Sequence, residues 1–231
     1  MVSTTLLFSR ESYRVHRIED AVVGKQKGES KETYEALLDA AEQTFAERGV
    51  TRTTLNDVAT SAGMTRGAVY WHFKNKGALV EALCDRVFLP MEAMLNEITA
   101  APEDDPIAAL RVMMLEMLTQ TATNPRQKAV FDILFHHCEK NDEMAFFANE
   151  KEKRAECLGK LERIVRVAVQ QGKLPAQTDT FLAMQAINGY LIGLIYEWLI
   201  DPEAYRLEEA AAPLIDIFLA GLLAKPPLKR A

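Results

Sequence analysis

Cysteine is scarce in this sequence, and its spacing excludes two kinds of site. The 231 residues contain three cysteines, Cys84, Cys138 and Cys157. An odd number of widely separated cysteines provides neither a disulfide framework nor a paired CxxC metal motif. We therefore expect a protein of the reducing cytoplasm that holds no metal and no cofactor.

Long apolar runs are also lacking, which argues against a membrane protein. The first residues form too short an apolar run for a signal peptide, and Arg10 interrupts it. The most apolar segment, Phe181–Ile200, contains Gln185, Asn188 and Glu197, and no basic residues anchor its ends. We expect this segment to be a helix that is buried by protein on nearly all sides.

The whole chain has no net positive charge, but one segment is rich in basic residues. The 27 Lys and Arg residues are outnumbered by 33 Asp and Glu residues, which gives a net charge of −6. Between Arg48 and Lys76, however, five basic residues accompany a single acid, Asp57. Such a local excess is what a nucleic-acid-binding surface requires, although an ordinary solvated surface could also carry it.

Signals for strands and for catalysis are absent from the sequence. No segment shows the alternating β-branched pattern of a strand. No nucleophile–base pair, Gly-rich phosphate loop or paired ligand motif indicates an enzyme. Apolar residues instead recur at helical spacing from Ser30 onward, and residues 1–29 lack periodicity. We predict an all-α protein that is not an enzyme, preceded by a disordered tail or by a stretch that an alternative start codon would omit.

Capping and breaking residues predict where the helices begin and end. Ser30 and Gly49 are expected to bound the first helix, and Pro226-Pro227 to end the ordered chain. Thr54 and Asp57 are spaced as a capping box for the second helix. The further helices are predicted at about residues 54–63, 65–73, 75–99, 106–123, 125–137, 144–171, 179–200 and 207–223.

The two helices predicted at about residues 54–63 and 65–73 have the pattern of a helix-turn-helix. Gly63 allows the left-handed turn between them. Arg66 is predicted to read a base, because a guanidinium group can bind guanine O6 and N7 together, and Gly67 to let the helix lie close to DNA. An ordinary helical hairpin with charged tips is the alternative. The other predicted DNA contacts, chiefly groups suited to phosphates, are Thr53, Thr54, Thr65, Tyr70, Trp71, His72 and Lys76.

The segment from Thr51 to Lys76 resembles the signature of TetR-family transcriptional regulators. Its Tyr-Trp-His-Phe-Lys-Asn-Lys run is most similar to the AcrR- and TtgR-like branch, which represses multidrug efflux pumps. The resemblance is specific over about residues 30–85. It implies that these residues form a helix-turn-helix DNA-binding domain and that residues 86–231 form a helical ligand-binding and dimerisation domain.

The resemblance also implies a pocket for a hydrophobic or aromatic ligand in the second part. Its Met- and Phe-rich helices agree with this, because such side chains adapt to varied apolar ligands, although each could be plain core. His136 and His137 are adjacent and project from different faces of a helix, so no shared metal site is expected. The predicted ligand-binding residues are Met113, Met117, Phe131, Phe135, His136, Cys138, Ile164 and Ala168.

The last two helices are predicted to form a homodimer as a four-helix interface. Gly189 and Gly193 lie four residues apart, and small residues at this spacing allow close helix contact. Packing within one chain is the alternative. The predicted interface residues are Ile187, Gly189, Tyr190, Gly193, Leu194 and Phe218.

Together these features predict a ligand-responsive repressor. A dimer would bind a pseudo-palindromic operator, and a ligand would shift it to a state whose recognition helices are wrongly spaced. The resemblance implies control of a multidrug efflux pump. Two alternatives keep the DNA binding but replace the drug by an endogenous metabolite such as an acyl-CoA, or by a partner protein.

Overall fold

The computed structural model describes residues 30–98, 105–138 and 146–229, and within them it contains nine helices and no extended strand. The predicted all-α class is confirmed. Residues 1–29, where the tail is predicted, lie outside the described residues. Helix α1 covers residues 30–48, and α2 to α9 are Leu55–Ser61, Arg66–His72, Lys76–Ile98, Pro106–Thr123, Pro125–His136, Phe146–Gln170, Thr180–Ile200 and Leu207–Ala224.

Short polar side chains begin most of these helices. Asp57 Oδ2 accepts from the Thr54 amide at 2.8 Å, and Thr54 Oγ1 accepts from the Asp57 amide at 3.2 Å, which completes the predicted capping box. Asp105, Asn124 and Asp179 cap α5, α6 and α8 through their own carboxylate or amide oxygens. Ser30 is already helical, so it does not mark a helix start.

The apolar side chains form two cores that share α4 and α6. The first core joins α1, α2 and α3 to the N-terminal half of α4, and Val130 and Ile133 of α6 also belong to it. The second core is built by α5 to α9 together with Phe131 of α6. Phe88 of α4 packs against both cores. Movement of α4 or α6 therefore affects the packing of both.

Polar contacts reinforce the connection between the two cores. The Val50 amide, just after α1, donates to the backbone oxygen of His137 at 2.9 Å. Arg86 of α4 holds Asp39 and Glu42 of α1 at 2.6 and 2.5 Å. Arg126 of α6 reaches the same Asp39 oxygen at 3.4 Å. These contacts link the first core directly to α6, which also contributes Phe131 to the second core.

The C-terminal segment remains ordered beyond the last helix, which corrects the prediction that Pro226-Pro227 ends order. The Asp179 amide donates to Pro227 O and the Lys229 amide donates to Gln177 O, both at 2.8 Å. These bonds flank an antiparallel bridge between Thr178 and Leu228.

No helix among the described residues is long and apolar enough to cross a membrane.

Candidate functional site

Helices α2 and α3 form the predicted helix-turn-helix. Gly63 has φ +66°, the left-handed conformation that the turn requires, and the Met64 amide donates to Ala59 O at 2.8 Å. Leu55, Val58 and Val69 anchor the two helices in the first core. Because Val69 is the one buried residue of α3, most of that helix is available to a partner.

The exposed face of α3 carries most of the predicted DNA contacts. Thr65 caps the helix, its Oγ1 accepting from the Ala68 amide at 3.2 Å, and so retains its hydroxyl hydrogen for a phosphate. Arg66 and Gly67 follow in the first turn, where backbone N–H groups point outward. The Arg66 guanidinium carbon lies 5.3 Å from the centroid of the Tyr70 ring. Trp71 is 72% exposed at the end of the helix.

Three predicted contacts have roles within the fold. Thr53 is 1% exposed and its hydroxyl donates to Gly49 O at 2.8 Å, so the prediction that it faces a phosphate is corrected: it lies in the interior. Thr54 donates its hydroxyl to Asp57 Oδ2 at 2.6 Å. Lys76 Nζ donates to Thr51 O at 3.1 Å, which fixes the ammonium group beside the turn and leaves two of its three hydrogens for phosphate.

His72 sits in a cluster of aromatic rings. Its ring centroid lies 4.5 Å from that of Trp71 and 5.6 Å from that of Tyr34 in α1. Burial lowers the pKa of His72 below its ordinary value of 6.5. The imidazole is therefore mainly neutral at pH 7, and it can offer a hydrogen bond to a phosphate but little charge.

Two residues that the sequence analysis did not select support this surface. Tyr34 packs on Phe73 with ring centroids 5.2 Å apart, which fixes the end of α3 against α1. Arg86 links α4 to α1 through the acids described above. The only sequence signal for either is its place on an inward or lateral face of a predicted helix. Lys74 and Arg52 are exposed cations beside the same surface.

The predicted ligand-binding residues are divided between the two cores. Met113, Phe131, Ile164 and Ala168 are buried in the second core, and Met117 and Phe135 pack against it. Cys138 packs against the first core instead of the second. It does so because the chain leaves α6 at His137 and turns toward the α1–α2 connection.

Aromatic rings form a connected row along one side of these residues. The ring centroids of Phe88 and Phe131 are 5.7 Å apart, those of Phe131 and Phe135 5.6 Å, and those of Phe135 and Tyr196 6.0 Å. His136 lies against Tyr196 at 5.0 Å. These rings contact one another in the region where the ligand is predicted to bind.

The histidines differ from expectation in one respect. His136 Nδ1 is 2.9 Å from Asp132 Oδ1 and His137 Nε2 is 3.5 Å from Asp132 Oδ2, so both approach one carboxylate. They converge because His137 has left the helix as its C-cap. Within the described part of the chain, no three His, Cys, Asp or Glu side chains are placed to share a metal ion.

Two cavities in the described ranges lie away from the aromatic row. One, of about 280 Å³, is lined by residues of α7, the start of α8 and Lys229. The other, of about 10 Å³, lies between α4 and α6. The predicted ligand-binding residues line neither of them.

The predicted dimer residues fall on two different faces of α8 and α9. Gly189 and Gly193 are exposed, and a Cβ added to either would meet nothing within 4 Å. Ile187 is fully buried in its own chain, which corrects its assignment to the interface. Tyr190 stacks on Phe218 at 4.5 Å and donates to Leu214 O at 2.8 Å, so this pair joins α8 to α9 within the chain, and Leu194 also packs against the chain's own core.

The outward face of α8 and α9 is instead small and apolar. Ile200 is 60% exposed and Ile217 is 71% exposed. Ile200 is not among the interface residues predicted from the sequence, because α8 is apolar on every side and its pattern gives no outward direction. Leu182, Gly189, Gly193, Ile200, Ile217 and Gly221 all lie on the exposed side of these helices.

Comparison with known protein families assigns both parts of the chain. Residues 37–83 match the family model for bacterial regulatory proteins of the tetR family. Residues 105–223 match the C-terminal region of MAATS-type transcriptional repressors. The chain belongs to the TetR family. The first of these matches contains the whole helix-turn-helix. The second contains Phe131, Phe135 and Tyr196 of the aromatic row and the outward face of α8 and α9.

Individual TetR-family relatives are similar over most of their length. The transcriptional regulator TtgR of Pseudomonas putida is 33% identical over 90% of this chain and 100% of its own. NalD, the secondary repressor of the MexAB-OprM multidrug efflux pump in Pseudomonas aeruginosa, has a structure 30% identical with a TM-score of 0.76, covering 83% of this chain and 97% of NalD. The complex of SmeT from Stenotrophomonas maltophilia with triclosan is 29% identical with a TM-score of 0.72, covering 86% of this chain and 100% of SmeT.

Proposed function

We propose that this chain is a dimeric, ligand-responsive repressor that binds a pseudo-palindromic operator through α3 and controls a multidrug efflux pump. The observation that carries the proposal is the exposed face of α3, which combines a capped N-terminus, Arg66 and aromatic side chains. The relatives support it, since NalD and SmeT are repressors of multidrug efflux pumps.

DNA binding is assigned to residues that remain exposed. Arg66 reads a base, and Gly67 permits close approach. Thr65, Tyr70, Trp71, His72 and Lys76 contact phosphates, which set the register of the helix on the duplex. Thr54 contributes by capping α2 rather than by a free hydroxyl.

The test is binding of the purified protein to DNA upstream of its own gene, followed by fluorescence anisotropy and nuclease footprinting. We expect protection of two half-sites about one helical turn apart. Arg66→Ala is expected to weaken operator binding about 5- to 150-fold, the effect of losing one bidentate base contact. Equal affinity of wild type and variant for operator and unrelated DNA would contradict the proposal.

The ligand site is assigned to the aromatic row and the adjacent core. Phe88, Phe131, Phe135 and Tyr196 offer ring faces to an aromatic compound, and Met113 and Met117 can adapt their shape. Ile164 and Ala168 would form the floor. Because these side chains pack against one another, and α4 and α6 also belong to the first core, we expect ligand binding to be coupled to rearrangement of these two helices.

Calorimetry distinguishes an aromatic drug from an endogenous metabolite. An aromatic antimicrobial such as triclosan is expected to bind wild type and to bind Phe135→Ala at least about tenfold more weakly. Leu89→Ala is the control, because Leu89 is exposed on α4 outside the row. Binding of long-chain acyl-CoA with no binding of aromatic compounds would favour the metabolite alternative.

The dimer is assigned to the small, apolar outward face of α8 and α9. Gly189 and Gly193 allow the backbone of a second copy to approach α8, and Ile200 and Ile217 would be buried there. Sedimentation equilibrium is expected to give twice the 25.9 kDa chain mass. A monomer at micromolar concentration would contradict this assignment.

A further inference from the structure

Arg66 and Tyr70 lie one above the other on the exposed face of α3. They are four residues apart, so their side chains share a helix face. The guanidinium carbon is 5.3 Å from the Tyr70 ring centroid, within the range of a cation–π contact. In the part of the chain that the structure describes, Arg66 takes part in no hydrogen bond or ion pair. The Tyr70 ring is therefore the group that restrains it.

The surrounding charges leave this contact undisturbed. Asp57 is the only acid between residues 48 and 76, and its carboxylate is engaged by the Thr54 amide and hydroxyl. Among the residues that the structure describes, no carboxylate pairs with the Arg66 guanidinium group. Tyr70 itself is 47% exposed, so its ring is available to Arg66 without being part of the core.

We propose that Tyr70 is a positioning residue for operator specificity: its ring holds the Arg66 guanidinium group ready to bind guanine. This rests on the proposed function, in which α3 reads DNA. A guanidinium group lying over a ring keeps its N–H edge free, and bidentate binding to O6 and N7 uses that edge. Restraining the long Arg side chain before binding reduces the conformational entropy that binding removes.

The proposal separates two properties of Tyr70. Its hydroxyl can contact a phosphate, which contributes equally on every DNA sequence. Its ring acts through Arg66, and this contribution appears only at the base that Arg66 reads. Affinity and discrimination therefore report on different atoms of one side chain.

The experiment measures anisotropy of the full-length protein on its operator and on operators in which each half-site guanine is replaced in turn. The proteins are wild type, Tyr70→Phe, Tyr70→Leu, Arg66→Ala and the double variant Arg66→Ala with Tyr70→Leu. Arg66→Ala first identifies the guanine whose replacement no longer matters. Thermal melts followed by circular dichroism verify that each variant is folded, as expected for two exposed side chains.

Tyr70→Phe is expected to keep the discrimination at that guanine, with any loss of affinity uniform over all sequences. Tyr70→Leu is expected to reduce the discrimination about two- to fivefold, the range of an exposed cation–π contact. In the Arg66→Ala background, Tyr70→Leu should change discrimination no further.

Two results would overturn the inference while leaving operator binding intact. In the first, Tyr70→Phe and Tyr70→Leu discriminate equally at that guanine. In the second, Tyr70→Leu reduces discrimination by the same factor in the Arg66→Ala background as in the wild-type background. Absence of operator binding by wild type would instead overturn the proposed function on which the inference rests.

Discussion

Some residues around α3 use their side chains to stabilise the fold, whereas others keep them available to a partner. Thr53 and Thr54 direct their hydroxyls to Gly49 O and Asp57, while Thr65 accepts a capping bond and keeps its hydrogen. Residues of the same type, a few positions apart, thus have different functions. The difference follows from local geometry, because a β-hydroxyl bonds to whichever nearby backbone or side-chain group lies within reach.

Gly67 provides a residue-scale prediction in which stability and function change in opposite directions. A Cβ at this position would meet only Thr65 Oγ1, at 3.8 Å, so the free protein has room for it. Gly67→Ala is expected to stabilise the fold by up to about 1 kcal/mol, because alanine is the better helix former. It is expected to weaken operator binding, because the methyl group would face the DNA in the proposed complex. Chemical denaturation and anisotropy measure the two effects.

Gly159→Ala on α7 is the matched control. It is also an exposed helical glycine, and a Cβ there would meet nothing within 4 Å. The same gain in stability with unchanged operator affinity is expected. If both substitutions left operator binding unchanged, Gly67 would not lie against the DNA.

His72 predicts a pH dependence of stability. Its pKa is lowered by burial in the folded chain, so the unfolded chain binds the proton more readily. Above pH 6.5, His72 is mainly neutral in both the folded and the unfolded chain and does not lower the free energy of unfolding. The free energy of unfolding falls as the pH drops below 6.5 toward the pKa of His72 in the folded chain. Urea unfolding at pH 7.5 and 5.5 should show a larger loss for wild type than for His72→Gln. Parallel losses in both proteins would show that His72 does not contribute.

Among the elements, α4 and α6 join the two cores. Arg86 of α4 is the central contact, since its side chain is only 10% exposed while it holds Asp39 and Glu42 of α1. Burial raises the pKa of Glu42 above its ordinary value of 4.5, and Arg86 opposes this rise through its charge and its hydrogen bond.

Replacement of Arg86 tests the strength of this connection. Arg86→Met retains the aliphatic length but removes the charge, and we expect it to destabilise the fold by about 1–3 kcal/mol. Arg111→Met is the control, because the Arg111–Asp216 pair between α5 and α9 is exposed to solvent, which screens its attraction, so its loss should change stability less. Denaturant midpoints of both variants give the comparison. A larger effect at Arg111 would contradict the assignment.

Helix ends were predictable from sequence, whereas the direction of individual side chains was not. The capping box at Thr54 and the φ of +78° at Gly49 depend on neighbouring residues alone. Whether Ile187 faces its own core or a partner depends on packing, and α8 is apolar on every side. Cys138 and the pairing of residues 177–179 with 227–229 depend on contacts between distant segments, which no local pattern contains.

At the scale of the whole molecule, the proposed dimer would hold its two recognition helices together through the outward face of α8 and α9. Gly193→Leu adds a side chain to a position that is open in the single chain, so folding should be unaffected while dimer formation is lost. Operator affinity is then expected to fall by about a hundredfold or more, because the two half-sites are no longer linked. Sedimentation equilibrium and anisotropy measure both quantities.

Gly159→Leu adds the same side chain to exposed α7 and serves as the control. It should leave both the dimer and operator binding unchanged. A Gly193→Leu protein that remains dimeric would place the interface on another surface.

In the proposed function, a ligand bound among the rings of the second core releases α3 from DNA. Titration of an aromatic antimicrobial into the preformed complex of the protein with its upstream DNA, followed by anisotropy, tests this directly. We expect the DNA to be released in parallel with ligand binding, and Phe135→Ala to require a higher ligand concentration for release. Ligand binding that leaves the complex intact would show that these rings do not control the binding of α3 to DNA.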